Sequence, residues 1–336
     1  MGEKAGDNAQ LRVIAGALGW PVEVRRIAMQ APWVRGKPRV RASLAHIDAQ
    51  RSDPLAPPWP ELVITIGRRL SMVALWIREQ SRGRTRIVLI GKPRRLARRF
   101  DLVVASAQYR VAQHRNVLQL GLPLMRVEPA AVTAAADTWR ARLARLPRPL
   151  TAVLVGGPTK PVRFDDEVAR DLAARAASLA KEAGGSLYVT TSRRTPPAVV
   201  DALAQQLPAG TPIYRWTPEA TENPHLALLG LADRFVVTSD SITMMVEVAR
   251  LGRPLAIFVL PSAGGGFARL WRVLARGRDL EAVPRLLIDR GIAVRLGAPF
   301  RSPHGPPPDE LPRVVERIRA LLDPSGGRPD AAPGAV

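Results

Sequence analysis

The sequence predicts an α/β protein of two domains, each built on a parallel sheet. Three observations predict it. Short apolar runs of strand length alternate with stretches of helix length, the pattern of a parallel sheet covered on both faces. Strand-like runs end at glycine or at small hydroxylated residues. The alternation comes in two series, divided by a basic, proline-punctuated stretch at 140–150 (RARLARLPRPL). A chain of 336 residues suits two domains, and its 46% apolar composition provides a core for each. The expected boundaries are 1–145 for the first domain, 146–305 for the second and 306–323 for a C-terminal helix, with a disordered tail at 324–336.

In the first series, residues 2–10 read as a loop and 10–18 as a helix. Strands follow at 61–66 (ELVITI), 86–90 (RIVLI) and 101–105 (DLVVA), with a helix at 71–79. A doubly wound domain normally places a strand before a loop such as 2–10. None precedes it here, so either the start lies elsewhere or the sheet begins one strand late. In the second series, 151–155 is a strand running into Gly156 and Gly157. Residues 165–181 form a helix with Val168, Leu172 and Leu179 on one side, stopped by Gly184-Gly185. Strands at 186–190, 212–216, 234–237 and 255–260 follow, with helices at 197–206 and from about 241 to 251. Past a proline-rich stretch at 297–308, residues 309–322 place Leu311, Val314, Val315, Ile318, Leu321 and Leu322 on one stripe, with Asp309 as N-cap.

Composition narrows the partners. Lys and Arg number 50 against 29 Asp and Glu, a formal charge of +21, and nearly all the cations are arginine. Such a balance suits phosphates, nucleic acid or an anionic lipid surface; it also follows from a coding bias toward arginine. Aromatic residues make up only 5%, without the interleaving of basic and stacking residues that RNA binding needs, so nucleic acid is disfavoured. The chain has no cysteine, which excludes disulfides, thiolate nucleophiles and Cys-ligated zinc. No run spans a bilayer and the N-terminus is polar, so a cytoplasmic protein is expected, peripheral on the inner face of the membrane through its arginines.

Ligands of open parallel sheets bind outside the carboxyl ends of the strands. Three such ends combine small, hydroxylated or basic residues. Thr238, Ser239, Asp240 and Ser241 lie between a strand and a helix, where free N–H groups and the helix dipole favour a phosphate. Simple N-cap chemistry is the plainer alternative. Thr243 and Glu247 are four apart, off the core face of Ile242, Met245, Val246 and Ala249. Glu247 lies about 9 Å along the helix, placed to accept from ribose hydroxyls while a diphosphate occupies the helix start. Thr191, Ser192, Arg193 and Arg194 put two guanidinium groups beside hydroxyls, suited to diphosphate oxygens or to a basic surface loop. Gly156 and Gly157, within the 156–160 turn, allow close backbone approach. Asn223 either caps a helix or meets a sugar hydroxyl, and His225 reads as structural. No Walker loop, dinucleotide fingerprint, nucleophile elbow or His-rich metal spacing occurs, so neither a metal nor a cofactor is expected.

The blocks Ala5-Gly-Asp-Asn-Ala-Gln10, Thr190-Thr-Ser-Arg-Arg-Thr195-Pro, Glu222-Asn-Pro and Thr238-Ser-Asp-Ser241 with Glu247 together resemble the elongated-mitochondria type of mitochondrial fission family, over about residues 5–320. Its bacterial members are regarded as glycosyltransferases, some linked to lipooligosaccharide core synthesis. The resemblance implies a GT-B-like fold, two Rossmann-like domains facing a cleft, with the C-terminal helix packing back. It implies a nucleoside-diphosphate sugar as substrate in the second domain and a hydroxyl acceptor, such as a lipid-linked glycan, in the first. Glu247 then matches a ribose-binding glutamate. Asp7, the carboxylate of the acceptor-side loop beyond Glu3, becomes the candidate base. The chain departs from the family at His225, where a tyrosine is usual, and at Thr243, where a serine is usual.

Three other functions compete: a non-catalytic scaffold of the fission-factor kind, a sugar-nucleotide epimerase, and a nucleic-acid binder held by charge. Consumption of a sugar nucleotide separates the first from a transferase. The epimerase would need an acid and a base around the sugar, and no convincing pair can be named. A steep salt dependence would mark the nucleic-acid binder.

Overall fold

The computed structural model of the protein describes residues 1–2, 5–35, 38–93, 96–159, 162–262, 279–301 and 305–323. Glu3, Lys160 and the expected tail at 324–336 lie outside the described residues. Contacts divide the chain into two units. One is Met1–Leu124 together with the C-terminal segment from Asp309; the other is Met125–Pro308. Both are Rossmann-like α/β units with parallel sheets, as the sequence predicts.

The first unit contains α1 (Ala5–Leu18), α2 (Ala31–Arg35), β1 (Leu62–Ile66), α3 (Gly67–Gln80), β2 (Arg86–Ile90), β3 (Leu102–Ser106) and β4 (Val117–Leu120). Its sheet runs β1-β2-β3-β4, every pair parallel. Alternation along the strands sorts the core onto two faces. Val88, Ile90, Leu102 and Val104 pack with Leu11, Ile14 and Leu18 of α1 and with the C-terminal helix, Leu311–Leu322. Ile87, Leu89 and Val103 pack with Ala74 and Leu75 of α3 on the other face. Burial on both faces is why β2 is apolar from Ile87 to Ile90. The C-terminal helix packs back onto this sheet. Asp309 accepts from Leu311 N at 3.1 Å. The Glu310 carboxylate accepts from Gly121 N at 2.9 Å and Leu122 N at 3.3 Å, tying the helix start to the end of β4.

One expectation is corrected here. Residues 5–10 are not a loop: α1 already begins at Ala5. The Asn8 side chain accepts from Gly2 N at 3.1 Å and donates to Gly2 O at 2.6 Å, satisfying the backbone ahead of the helix. Asp7 therefore stands in the first helical turn, where the dipole favours a carboxylate.

The second unit contains α4 (Pro129–Leu143), β5 (Leu150–Val155), α5 (Asp166–Glu182), β6 (Ser186–Thr191), α6 (Pro197–Gln206), β7 (Ile213–Tyr214), α7 (His225–Leu231), β8 (Arg234–Thr238), α8 (Ile242–Arg250), β9 (Leu255–Phe258), α9 (Ala282–Asp289) and β10 (Ala293–Arg295). The division at 124/125 differs from the expected 145/146 because α4 packs against α7, inside this unit. Asp165 caps α5, accepting from Val168 N at 3.2 Å. Val168, Leu172 and Ala176 then bury against Val153, Val155 and Val189.

All pairs in this second sheet are parallel, in the order β10-β9-β8-β5-β6-β7. Starting from β5, the chain first builds outward through β6 and β7, then returns to the other side of β5 for β8, β9 and β10. This is the doubly wound order 3-2-1-4-5-6, and its direction reverses between β5 and β8. Among the described residues, no helix is long and apolar enough to cross a membrane.

Candidate functional site

Strand order alone selects where a ligand should sit in the second unit: at the carboxyl ends of β5 and β8, where the winding reverses. β5 ends at Val155, followed by Gly156 and Gly157; β8 ends at Thr238, followed by Ser239, Asp240 and Ser241. The two turns are locked together. Gly156 N donates to Thr238 Oγ1 at 2.8 Å, and Thr238 Oγ1 donates to Asp240 Oδ1 at 2.8 Å. Asp240 Oδ2 accepts from Gly157 N at 2.8 Å and from the Arg194 guanidinium at 3.0 Å. A Cβ at Gly156 would fall within the Asp240 carboxylate, and one at Gly157 would overlap the Arg194 carbonyl. Close approach of Asp240 and of the Arg194 carbonyl requires glycine at both positions.

The Asp240 side chain is fully buried. Burial pushes its carboxyl above the ordinary value, while the Gly157 N–H, the Arg194 charge and the Thr238 hydroxyl pull the other way. Arg194 is occupied by this network. Besides Asp240, its guanidinium donates to Gly157 O at 3.3 Å and to Thr159 Oγ1. Thr195 Oγ1 donates to Gly156 O and accepts from Ser192 N at 2.9 Å, fixing the loop that follows β6.

α8 starts directly beyond Ser241, which makes no side-chain capping bond. The N–H groups of Ile242, Thr243 and Met244 occupy the first turn, where a helix offers them no acceptor. Ile242, Met245, Val246, Val248 and Ala249 are buried, leaving Thr243 and Glu247 half-buried off the core face. The Glu247 carboxylate accepts from His225 Nε2 at 2.9 Å through one oxygen, Oε2. Both side chains retain just under a fifth of their exposure. Among the described residues, His225 Nδ1 is buried without a hydrogen-bond partner. His225 opens α7, and its backbone N–H donates to Asn223 Oδ1 at 2.9 Å. The loop 222–225 and α8 are thereby brought to one place.

The predicted residues sort into two groups. Thr191 Oγ1 donates to Tyr214 O at 3.0 Å and accepts from Trp216 N at 2.9 Å, binding β6 to the end of β7. Ser239 Oγ accepts from Leu260 N at 3.0 Å. Ser192 accepts from Arg194 N at 3.3 Å. With Thr238, Asp240, Arg194 and Asn223, these side chains build the turns. Among the described residues, the Arg193 guanidinium and the Ser241 and Thr243 hydroxyls have no hydrogen-bond partner. They and the α8 amino terminus are the donors left for a ligand. Sequence reasoning missed the contact between His225 and Glu247 and the structural roles of Thr195 and Thr159. Among the described residues, no group of three or more His, Asp or Glu side chains could hold a metal ion.

A family model described as Mitochondrial fission ELM1 matches residues 5–320. Curated relatives include the "Mitochondrial fission protein ELM1" of Arabidopsis thaliana, 28% identical over 221 residues, covering 59% of this chain and 51% of that protein. Another is the uncharacterized protein RP120 of Rickettsia prowazekii (strain Madrid E), 25% identical over 234 residues, with 60% and 66% covered. The chain thus spans about half the length of the first relative and 66% of the second. Among solved structures, S. aureus MnaA with UDP aligns at a TM-score of 0.49 and 12% identity, over 96% of this chain and 95% of that one. Acinetobacter baumannii MurG aligns at 0.46 and 16%, over 96% and 89%. With a family model spanning nearly the whole described chain, the protein belongs to the mitochondrial fission ELM1 family.

Proposed function

We propose that the second unit binds a nucleoside-diphosphate sugar and that the protein transfers the sugar to a hydroxyl acceptor. The observation that carries this reading is the cluster of free donors at the switch point of a doubly wound sheet. The α8 amino terminus, Arg193, Ser241 and Thr243 offer N–H and O–H groups where such sheets take their ligands. A diphosphate over the start of α8 puts the nucleoside along the helix, toward Glu247. His225 holds Oε2 of that carboxylate and leaves Oε1 for ribose hydroxyls. As the donor bond breaks, negative charge grows on the leaving diphosphate, and Arg193 with the helix dipole would stabilise it. Arg194 and Asp240 act one step back, as positioning residues that hold the Gly156-Gly157 turn.

In this reading the first unit binds the acceptor, a lipid-linked glycan at an anionic membrane surface on the cytoplasmic side, and Asp7 in the first turn of α1 takes the acceptor proton. Neither metal nor cofactor is required, so a chelator should leave transfer unchanged. Thermal shift against UDP, GDP, CMP, dTDP and their sugars tests the donor site. Stabilisation by one nucleotide class is expected; no shift with any of them would overturn the reading. The family's description favours a second reading, a scaffold that keeps the pocket without turnover. Consumption of the stabilising sugar nucleotide, lost in Asp7→Asn while donor binding persists, separates the two.

A further inference from the structure

The carboxyl edge of the first unit's sheet collects cations. Its strands are parallel and adjacent, so the residues that follow β1, β2 and β3 emerge side by side, about 5 Å apart from strand to strand. Arg68 and Arg69 follow β1, Lys92 follows β2 and Arg110 follows β3. The ends of β2 and β3 are packed together: a Cβ at Gly91 would lie 3.7 Å from the Tyr109 ring. Residues 67–70, 91–92 and 107–111 include no Asp or Glu. The amino edge is built otherwise. There Asp101 takes both Arg78 and Arg86, and Glu79 faces Arg99 at 3.9 Å.

A loop is strapped onto the carboxyl edge. Arg68 Nη1 donates to Pro38 O at 3.2 Å, Ser43 N to Met72 O at 3.4 Å and His46 Nε2 to Arg69 O at 2.9 Å. These bonds hold residues 38–46 along the first turns of α3. The loop carries Arg39 and Arg41, both exposed, and no acid. Among the described residues, neither of these guanidinium groups has a hydrogen-bond or ion-pair partner. α3 begins directly from β1 with Ile66 at its cap position, so no side chain caps its start. His46 lies at the same turn and is only 2% exposed. Its Nδ1 is buried with no hydrogen-bond partner among the described residues. A buried polar atom left over in this way marks a turn that its own chain does not complete.

The turn stands beside the start of α1. Gly2 is bonded to Asn8 through both its N–H and its carbonyl, and a Cβ at Gly2 would lie 3.4 Å from Leu70 Cδ1. Asp7, one residue before Asn8, is thereby brought to the edge that carries Arg68 and Arg69. Ligands of open parallel sheets sit outside these strand ends. Arginine forks match the oxygens of a phosphate or a carboxylate.

We propose that the first unit carries an anion site at the carboxyl ends of β1, β2 and β3. Arg39, Arg41 and the first turn of α3 bind a phosphate or carboxylate group, and Lys92 and Arg110 extend the positive charge along the edge. Placing that group on the hydroxyl acceptor rests on the role proposed for this unit. The acceptor is then an anionic sugar or glycan, with its charged group close to the hydroxyl that reacts.

The probes are inorganic phosphate, mannose 6-phosphate, galacturonate and mannose. Each is added to the full chain carrying Arg193→Ala, which weakens the phosphate donors of the second unit. Amide exchange over 38–46 and 66–72 locates binding, and titration gives the affinity. At least one of the anions should slow exchange in both stretches by about threefold or more, and mannose should not. Protection by the phosphates and galacturonate alike assigns the site to small oxyanions; protection by one kind alone assigns it to phosphate or to carboxylate. Arg39→Ala/Arg41→Ala should weaken that binding by about tenfold or more. Arg98→Ala/Arg115→Ala, two exposed positions at the amino edge, removes the same charge and should change it by less than about twofold. Equal losses from the two pairs would reduce the effect to net charge and overturn the proposal. So would the absence of protection by any anion, or equal protection by mannose. The donor reading is scored separately, by the thermal shift of the parent chain with nucleoside diphosphates. A chain that binds anions at 38–46 and shifts with no nucleotide keeps this site and loses the donor reading; a chain that shifts with a nucleotide and binds no anion here does the reverse.

Discussion

Asp240→Ala removes one fully buried carboxylate, and the structure says what is left behind. Gly157 N, Thr238 Oγ1 and the Arg194 guanidinium each lose their acceptor. Hydrogen bonds to a charged group contribute about 1.5–3 kcal/mol each. The cost of burying the carboxylate, visible in its raised pKa, offsets part of that sum. Breaking a buried pair by deleting one member costs about 3–5 kcal/mol, and that range is expected here. Urea denaturation of the two proteins, followed through the second unit, measures it. The sign of the pH dependence adds a second check. The folded pKa of Asp240 lies above its unfolded value, so the folded state holds the proton longer. In the wild-type protein this group's contribution falls as pH rises from below the unfolded value through the folded one, then levels off. Asp240→Asn cannot titrate, so the stability gap between wild type and this variant should narrow as pH rises through that window. A loss below about 1 kcal/mol in the alanine variant, the range of an ordinary surface change, would refute the account of the locked turns. So would a gap that widens with pH.

Other outcomes follow from the same structure. Gly157→Ala forces a Cβ into the Arg194 carbonyl and should cost about 1–3 kcal/mol by denaturation, with loss of nucleotide binding. His46 is buried, donates Nε2–H to Arg69 O at 2.9 Å, and has its pKa lowered chiefly by burial. Its unfolded form gains a proton first on acidification, so stability should fall as pH drops below about 6.5, and His46→Gln should flatten that fall in urea midpoints measured between pH 7.5 and 5.5. The charge of +21 should bring the protein down with anionic vesicles at moderate salt and release it at high salt; no cosedimentation would remove the membrane from the proposed function.

The second unit was legible because its chemistry sits where the pattern changes. Strand-length apolar runs stop at Gly156-Gly157 and at Thr238, and the polar turns after them are the switch-point loops. β2 was read to the residue because both its faces are buried and its apolar run is unbroken. β4 was missed. Its four residues include Gln119, whose side chain donates to Ala105 O at 2.9 Å, which hides the apolar pattern. α4 was missed because it is alanine-rich and buries only Val132, Ala136 and Leu143, so its face has little contrast. The unit boundary moved with it, since only its packing on α7 assigns that helix. α1 starts early because Asn8 secures Gly2, a contact six residues long that turn-forming composition conceals. The burial of Asp240 was not readable in a Thr-Ser-Asp-Ser turn. Its partners Arg194 and Gly157 are 46 and 83 residues away and meet it only once the sheet is wound.

The most direct test of the central claim is calorimetric titration of wild type, Arg193→Ala and Glu247→Ala with the nucleotide diphosphate that stabilises the protein. Loss of a charged hydrogen bond of about 1.5–3 kcal/mol predicts affinity lower by roughly 10- to 150-fold in each variant, with the thermal midpoint of the unliganded protein nearly unchanged in Arg193→Ala and lowered in Glu247→Ala, which leaves His225 Nε2 without its acceptor. Unaltered affinity in Glu247→Ala and Arg193→Ala would contradict a donor site at the start of α8 and leave the turn at 238–241 with the structural role of locking β5 to β8.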